Sequence, residues 1–110
     1  MSDDFRGMDF NAVKEDELLA NIRLVCRVRK LLCYHTHRSE RSEPGWPDLA
    51  IVEGNVLHLW ELKRQKGKVR PEQLVWLEAL QQIPGVDARI VRPMDWYLGL
   101  RDQLLGDYAR

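Results

Sequence analysis

Two apolar runs, GWPDLAIV at residues 45–52 and LHLWELKR at residues 57–64, carry charges where a core strand ordinarily has none: Asp48 at the mouth of the first, Glu61 and Lys63 inside the second. A charge among apolar neighbours is costly unless it is paired, hydrogen-bonded or bound to a cation. Gly54-Asn55 between the runs is a tight hairpin signal, and hairpin pairing brings Asp48 and Glu61 near one another. Carboxylates that close repel unless they are protonated or bridged. Hard oxygen ligands of this kind favour Mg²⁺ or Mn²⁺, which keep waters and accept phosphate oxygens, over Zn²⁺, which prefers nitrogen and sulfur.

The elements that must position these groups follow from periodicity. From Val13 to about Leu32 the pattern is helical, with Leu18, Leu19, Ile22, Val25, Cys26 and Leu32 on one stripe. Glu15 projects onto that stripe and Glu17 away from it. Residues 33–36, 47–52 and 56–64 read as strands, the last placing Leu57, Leu59, Glu61 and Lys63 on one face and Val56, His58 and Trp60 on the other. Pro71 opens a helix over 71–82 whose inner stripe holds Gln73, Leu74, Leu77 and Leu80. Residues 88–92 form a fourth strand, and 94–108 a terminal helix with Trp96, Leu100 and Leu104 inward. The order α-β-β-β-α-β-α predicts an α/β sandwich around a small mixed sheet. Residues 1–12 read as a flexible lead-in and 13–110 as one domain.

The chain has 110 residues, 45% of them hydrophobic and 31% charged, which suits one globular domain with one core. No apolar run is long enough to span a bilayer, and MSDDFRGMDF lacks the features of a secretion signal, so a cytoplasmic location is expected. Cys26 and Cys33 are too few for a disulfide framework and are assigned no chemistry. Net charge is formally zero but segregated: residues 1–17 are acidic, residues 63–70 carry Lys63, Arg64, Lys66, Lys68 and Arg70 without an acid, and Arg23, Arg27, Arg29, Lys30, Arg38 and Arg41 form a second basic set. Basic segments around a carboxylate cluster suit a polyanion steered toward cation-masked acids; a solvated surface is the plain alternative.

The segment GWPDLAIV…LHLWELKRQKG resembles the PD-(D/E)XK nuclease superfamily, with Pro47-Asp48 as the PD and Glu61-Leu62-Lys63 as the (D/E)XK. Within it the chain looks like the VRR-NUC branch, whose short stand-alone members occur in phages and bacteria. Further matches are Glu15 ahead of Leu18, the loop YHTHRSERSEPG and the PEQLVWL helix after a Lys/Gly-rich turn, so that the resemblance covers about Glu15 to Arg92. It implies a restriction-endonuclease-like α-β-β-β-α-β core and hydrolysis of DNA phosphodiesters with Mg²⁺ or Mn²⁺, leaving a 5′-phosphate and a 3′-hydroxyl. Asp48, Glu61 and the Leu62 carbonyl would hold the metal, with Glu15 joining directly or through water. Lys63 would orient or deprotonate the attacking water, and Gln73 would support that water or the scissile phosphate. His35, His37, Arg38, Ser39, Arg41, Ser42, Arg64, Lys66, Lys68 and Arg70 would touch nucleic acid. The family's stand-alone members suggest branched substrates such as four-way (Holliday) junctions, cut by a homodimer that has exposed apolar residues of the terminal or first helix as candidate contacts. Neither a membrane nor an organic cofactor is implied.

Plainer alternatives stand beside each of these residues. Asp48 suits a turn after proline, Glu61 and Lys63 an exposed pair on a strand face, Glu15 a helix N-terminus, and Gln73 a polar first turn. Cys33, His35 and His37 alternate on one strand without a fourth zinc ligand nearby. The four tryptophans read mostly as core, with Trp46 in its loop also a candidate for stacking. Arg70 stands where many relatives have a Thr or Ser cap, leaving a frayed helix end or a role for Arg70 on DNA. Two other functions remain open: a nucleic-acid-binding module without useful turnover, and a nuclease for flapped, nicked or single-stranded DNA.

Overall fold

The structure, a computed structural model, describes residues 4–36 and 43–109. Helix α1 (Glu15–Arg29) forms where the apolar pattern repeats each turn, and it buries Leu18, Ile22, Val25 and Cys26. Its first turn carries Glu15, Asp16 and Glu17, which suit the positive end of the helix dipole, and Glu17 Oε1 accepts the Lys14 N–H at 3.2 Å. The helix stops short of Leu32. Lys30 takes the left-handed conformation (φ 57°), and the Lys30 and Leu31 N–H groups turn back to the carbonyls of Arg27 and Cys26. Leu32, expected on the buried stripe, therefore begins a strand and is 75% exposed.

Strands β1 (Leu32–His35), β2 (Leu49–Glu53) and β3 (Val56–Leu62) form an antiparallel meander, and helix α2 (Pro71–Gln81) then carries the chain to β4 (Val86–Val91), which runs parallel to β3. The product is an α/β fold on a four-stranded mixed sheet in the order β1-β2-β3-β4. Pro47 and Asp48 lie just before β2 rather than within it, consistent with a proline that has no N–H for a ladder. Beyond Leu62 the chain leaves the sheet, although the Lys63 N–H still reaches the Val91 carbonyl at 3.1 Å.

One sheet face presents Leu49, Ile51, Trp60, Leu62 and Val91 to α1 and to the C-terminal helical segment. That segment is interrupted: α3 (Pro93–Asp95) and α4 (Arg101–Leu105) are joined by a π-helical turn over Trp96–Leu100. Trp96 is buried there, and its Nε1–H donates to Asn21 Oδ1 of α1 at 2.7 Å. On the other face Leu59 and Ala88 pack against Leu77 of α2. Each fully buried aliphatic side chain contributes roughly 1.5–3 kcal/mol, so the first face, with the larger cluster, dominates the core. Leu74, expected inside, is 45% exposed, because α2 turns Gln73 and Leu77 inward instead. Residues 4–12, read from sequence as a lead-in, hold two short 3-10 helices, and Phe5 stacks on Tyr97 at 4.8 Å. Among the described residues no helix is long and apolar enough to cross a membrane.

A charged cluster lies where β3 and β4 pair His58 with Asp87. His58 Nδ1 meets Asp87 Oδ2 at 2.7 Å and His58 Nε2 meets Glu53 Oε1 at 2.8 Å, an arrangement that asks both ring nitrogens to donate. Asp87 also accepts from Trp60 Nε1 at 3.1 Å and Arg89 Nε at 2.7 Å. Burial alone would lower the His58 pKa, but the bonds to Asp87 and Glu53 outweigh it and raise it above 6.5. Burial likewise pushes Asp87 up, and its three donors more than reverse that, leaving it well below the usual carboxylate range. A histidine held above its unfolded pKa stabilises fully below about 6.5 and loses that contribution as pH rises through the folded value. His58→Gln should therefore cost about 1–3 kcal/mol at pH 6. The gap from wild type should narrow as pH rises toward 9, as chemical denaturation at the two pH values will show.

Candidate metal centre

The antiparallel register sets Leu49 opposite Trp60 and thereby brings Asp48 opposite Glu61 at the end of the sheet. Several bonds hold that arrangement. The Leu62 N–H donates to Asp48 Oδ2 at 2.9 Å, and the Asp48 carbonyl accepts the Thr36 N–H at 2.7 Å. Glu61 is only 4% exposed, its Oε2 accepts Gln73 Nε2 at 2.8 Å, and Lys63 Nζ lies 3.9 Å from the same oxygen. Glu61 Oε1 is buried without a hydrogen-bond partner. Burial first, then the adjacent Asp48 carboxylate, pushes the Glu61 carboxyl from the ordinary 4.5 up to about 8, against the opposing pull of Lys63. Glu15 adds a smaller push in the same direction.

Gln73 is committed at both ends of its amide. Its Oε1 accepts the Arg70 N–H at 2.9 Å, closing the N-terminus of α2, while its Nε2 holds Glu61. The helix end expected to fray is thus capped by Gln73, not by a residue at position 70. Gln73 is 3% exposed and lines the cavity beside Glu61, which it holds in place.

A cavity of about 740 Å³ opens over the pair, lined among others by Glu15, His35, Trp46, Asp48, Glu61, Leu62, Lys63, Arg64, Arg70 and Gln73. Glu15 stands on its exposed rim. Among the described residues no three His, Cys, Asp or Glu side chains gather closely enough to hold a metal ion, so the expected convergence of three acids reduces to the Asp48–Glu61 pair with Glu15 apart. Arg64 donates to the Asn11 carbonyl at 3.1 Å, and Arg70 faces Glu72 at 3.4 Å. Lys66 borders a separate hollow with Asn11, Arg64 and Gly67, and Lys68 is exposed. His37, Arg38, Ser39, Arg41 and Ser42 lie outside the described residues.

Two positioning residues gave little sign of themselves. Arg92 Nη1 donates to the carbonyls of Arg64, Gln65 and Gly67 at 2.8, 3.1 and 2.9 Å, which shapes the basic segment from a residue far along the chain. Gly45 (φ 92°) approaches α2 so closely that a Cβ there would sit 2.4 Å from the Glu72 carbonyl oxygen. The Gly-Trp-Pro sequence offered a hint of the second; nothing local signals the first.

No protein-family model, no curated protein and no solved structure matches the chain.

A carboxyl whose folded pKa lies above its unfolded value takes stability away as pH rises between the two. The metal-free protein should accordingly lose stability from about pH 4.5 to about pH 8 through this site. Glu61→Gln should remove that slope and make the metal-free protein more stable at pH 8, by about 1–3 kcal/mol if one unsatisfied buried acceptor is relieved. Thermal unfolding in EDTA across this range is the measurement.

Proposed function

We propose that the chain is a divalent-metal-dependent DNA endonuclease with the restriction-endonuclease-like core of the PD-(D/E)XK nucleases, of the VRR-NUC kind, acting on branched or otherwise structured DNA as a homodimer in the cytoplasm. The observation that carries this reading is the buried, partnerless Oε1 of Glu61 beside the Asp48 carboxylate, a donor set completed by a hard cation. Further support comes from the antiparallel β1-β2-β3 meander with β4 parallel to β3, and from the basic residues Lys63, Arg64 and Arg70 around the cavity.

The residues present fit Mg²⁺ or Mn²⁺. Asp48, Glu61 and the Leu62 carbonyl would hold the ion, and Glu15, on the rim of the same cavity, would join through one of its waters. When bound, the ion supplies a lowered pKa for a coordinated water and neutralises charge that develops on the phosphate. Lys63, with its Nζ 3.9 Å from Glu61 Oε2 and its side chain only partly exposed, would orient or deprotonate the attacking water. Water would add to phosphorus as it loses a proton, the bond to the 3′ oxygen would break, and that oxygen would take up a proton from solvent, leaving a 5′-phosphate and a 3′-hydroxyl. Gln73 keeps Glu61 in place, and Arg64 and Arg70 at the cavity would contact the DNA backbone without reading its sequence.

A binding module without turnover is the second reading, favoured by the lack of a third acid beside the pair among the described residues. Labelled four-way junction, flap, nicked and duplex DNAs separate the two. Wild type should nick the junction in Mg²⁺ or Mn²⁺ and not in EDTA, whereas Asp48→Ala and Lys63→Met should each lose a hundredfold or more, about the contribution of a metal or a general base. Undiminished binding with no product in either metal would instead establish the module. Symmetric cutting requires paired sites. Sedimentation should show a dimer at micromolar concentration, and monomer alone would remove the symmetric version.

A further inference from the structure

We propose that the indole of Trp46 is a stacking platform for a single unpaired nucleobase, so that the nuclease site selects DNA with a base displaced from the helix beside the scissile bond; this rests on the nuclease reading above. Trp60 and Trp96 are fully buried, but Trp46 is 38% exposed and lines the same cavity as Asp48, two residues further on. Two residues of extended chain span roughly 7 Å, a separation on the scale of one nucleotide. A lone exposed aromatic needs no explanation in itself. What sets Trp46 apart is how firmly it is presented.

Its neighbours Gly45 and Pro47 are both buried. Gly45 reaches its close approach to Glu72 only by taking a φ of 92°, and an added Cβ would also meet the Trp76 ring at 2.9 Å. Trp76 packs against Trp46 with centroids 5.1 Å apart and planes at 85°. The Trp76 Nε1–H in turn donates to the Pro44 carbonyl at 3.1 Å, which ties the loop to α2. A ring clamped this way has little rotamer freedom left to lose when a ligand stacks on it.

The surroundings favour a nucleobase as the occupant. Lys63, Arg64 and Arg70 line the cavity with Trp46, together with the acids Glu15, Asp16, Glu43, Asp48 and Glu61, and a flat aromatic with cations nearby matches a base flanked by its phosphates. Within a duplex both faces of a base are covered by its neighbours, so contact with Trp46 needs a base already out of the stack. Junction centres, bulges and strand ends provide one.

Binding of the full chain in EDTA to three DNAs of shared sequence tests this: a fully paired duplex, the same duplex with one extrahelical thymine, and the single strand. Anisotropy should show the bulged duplex bound about tenfold more tightly than the paired one, with quenching of tryptophan emission. Trp46→Leu should bring that ratio close to one, and Trp46→Phe, which keeps a ring, should retain most of it. Equal affinities in wild type, or a ratio untouched by Trp46→Leu, overturn the proposal. A change in sedimentation with no change in the DNA ratio overturns it in favour of an interface with a second copy. The same DNAs in Mg²⁺ or Mn²⁺ separate this idea from the one beneath it. Cleavage without preference for the bulge leaves the nuclease and removes the platform, whereas a Trp46-dependent preference without cleavage in either metal leaves the platform and removes the nuclease.

Discussion

Asp48 and Glu61 face each other at the end of the sheet because the β2–β3 register leaves them no other place, and much of the nearby structure answers the repulsion that results. The Leu62 N–H is spent on Asp48, and the Gln73 amide is spent on Glu61. Lys63 adds a positive charge from just beyond the end of β3. These partners leave one oxygen of Glu61 buried and unmatched. An unsatisfied buried acceptor of that kind costs free energy that the surrounding contacts do not recover.

The same strand carries a second set of charges, and the contrast is instructive. At His58 both ring nitrogens have carboxylate partners, and Asp87 is met by a histidine, an indole and a guanidinium. That network is closed and ties β2, β3 and β4 together. Arg29 extends it by facing Glu53 at 3.7 Å and donating to the Leu104 carbonyl, so α1 and α4 join as well. A closed network of partly buried charges rigidifies a fold, whereas a buried acceptor without a partner keeps its desolvation cost. β3 carries one of each: Glu61 faces the side covered by α2, and His58 the other.

Around the carboxylate pair, position is conferred by backbone contacts more than by side-chain packing. Arg92 folds the basic segment by binding three of its carbonyls, and Gly45 lets the loop before Asp48 rest against the first turn of α2. In this way basic residues and an aromatic edge beside the pair are carried on segments outside the sheet and tied to it through backbone contacts.

The pattern of residues was enough to establish the order of elements, the hairpin at Gly54-Asn55 and the pairing of Asp48 with Glu61, because strand alternation and turn chemistry are local and repeat at short range. It also placed Gln73 on the inner stripe of α2. The end of α1 was not legible, since its left-handed cap is a lysine where a glycine would have announced it. Nor was the partnership of His58 with Asp87, which exists only because β4 lies parallel beside β3 across a long connection. Only the tertiary structure decided that Gln73 would bond Glu61, that Glu15 would stand on the rim, and that Arg92 would organise a loop far from it in sequence. Each of these depends on distances between elements that no local periodicity encodes.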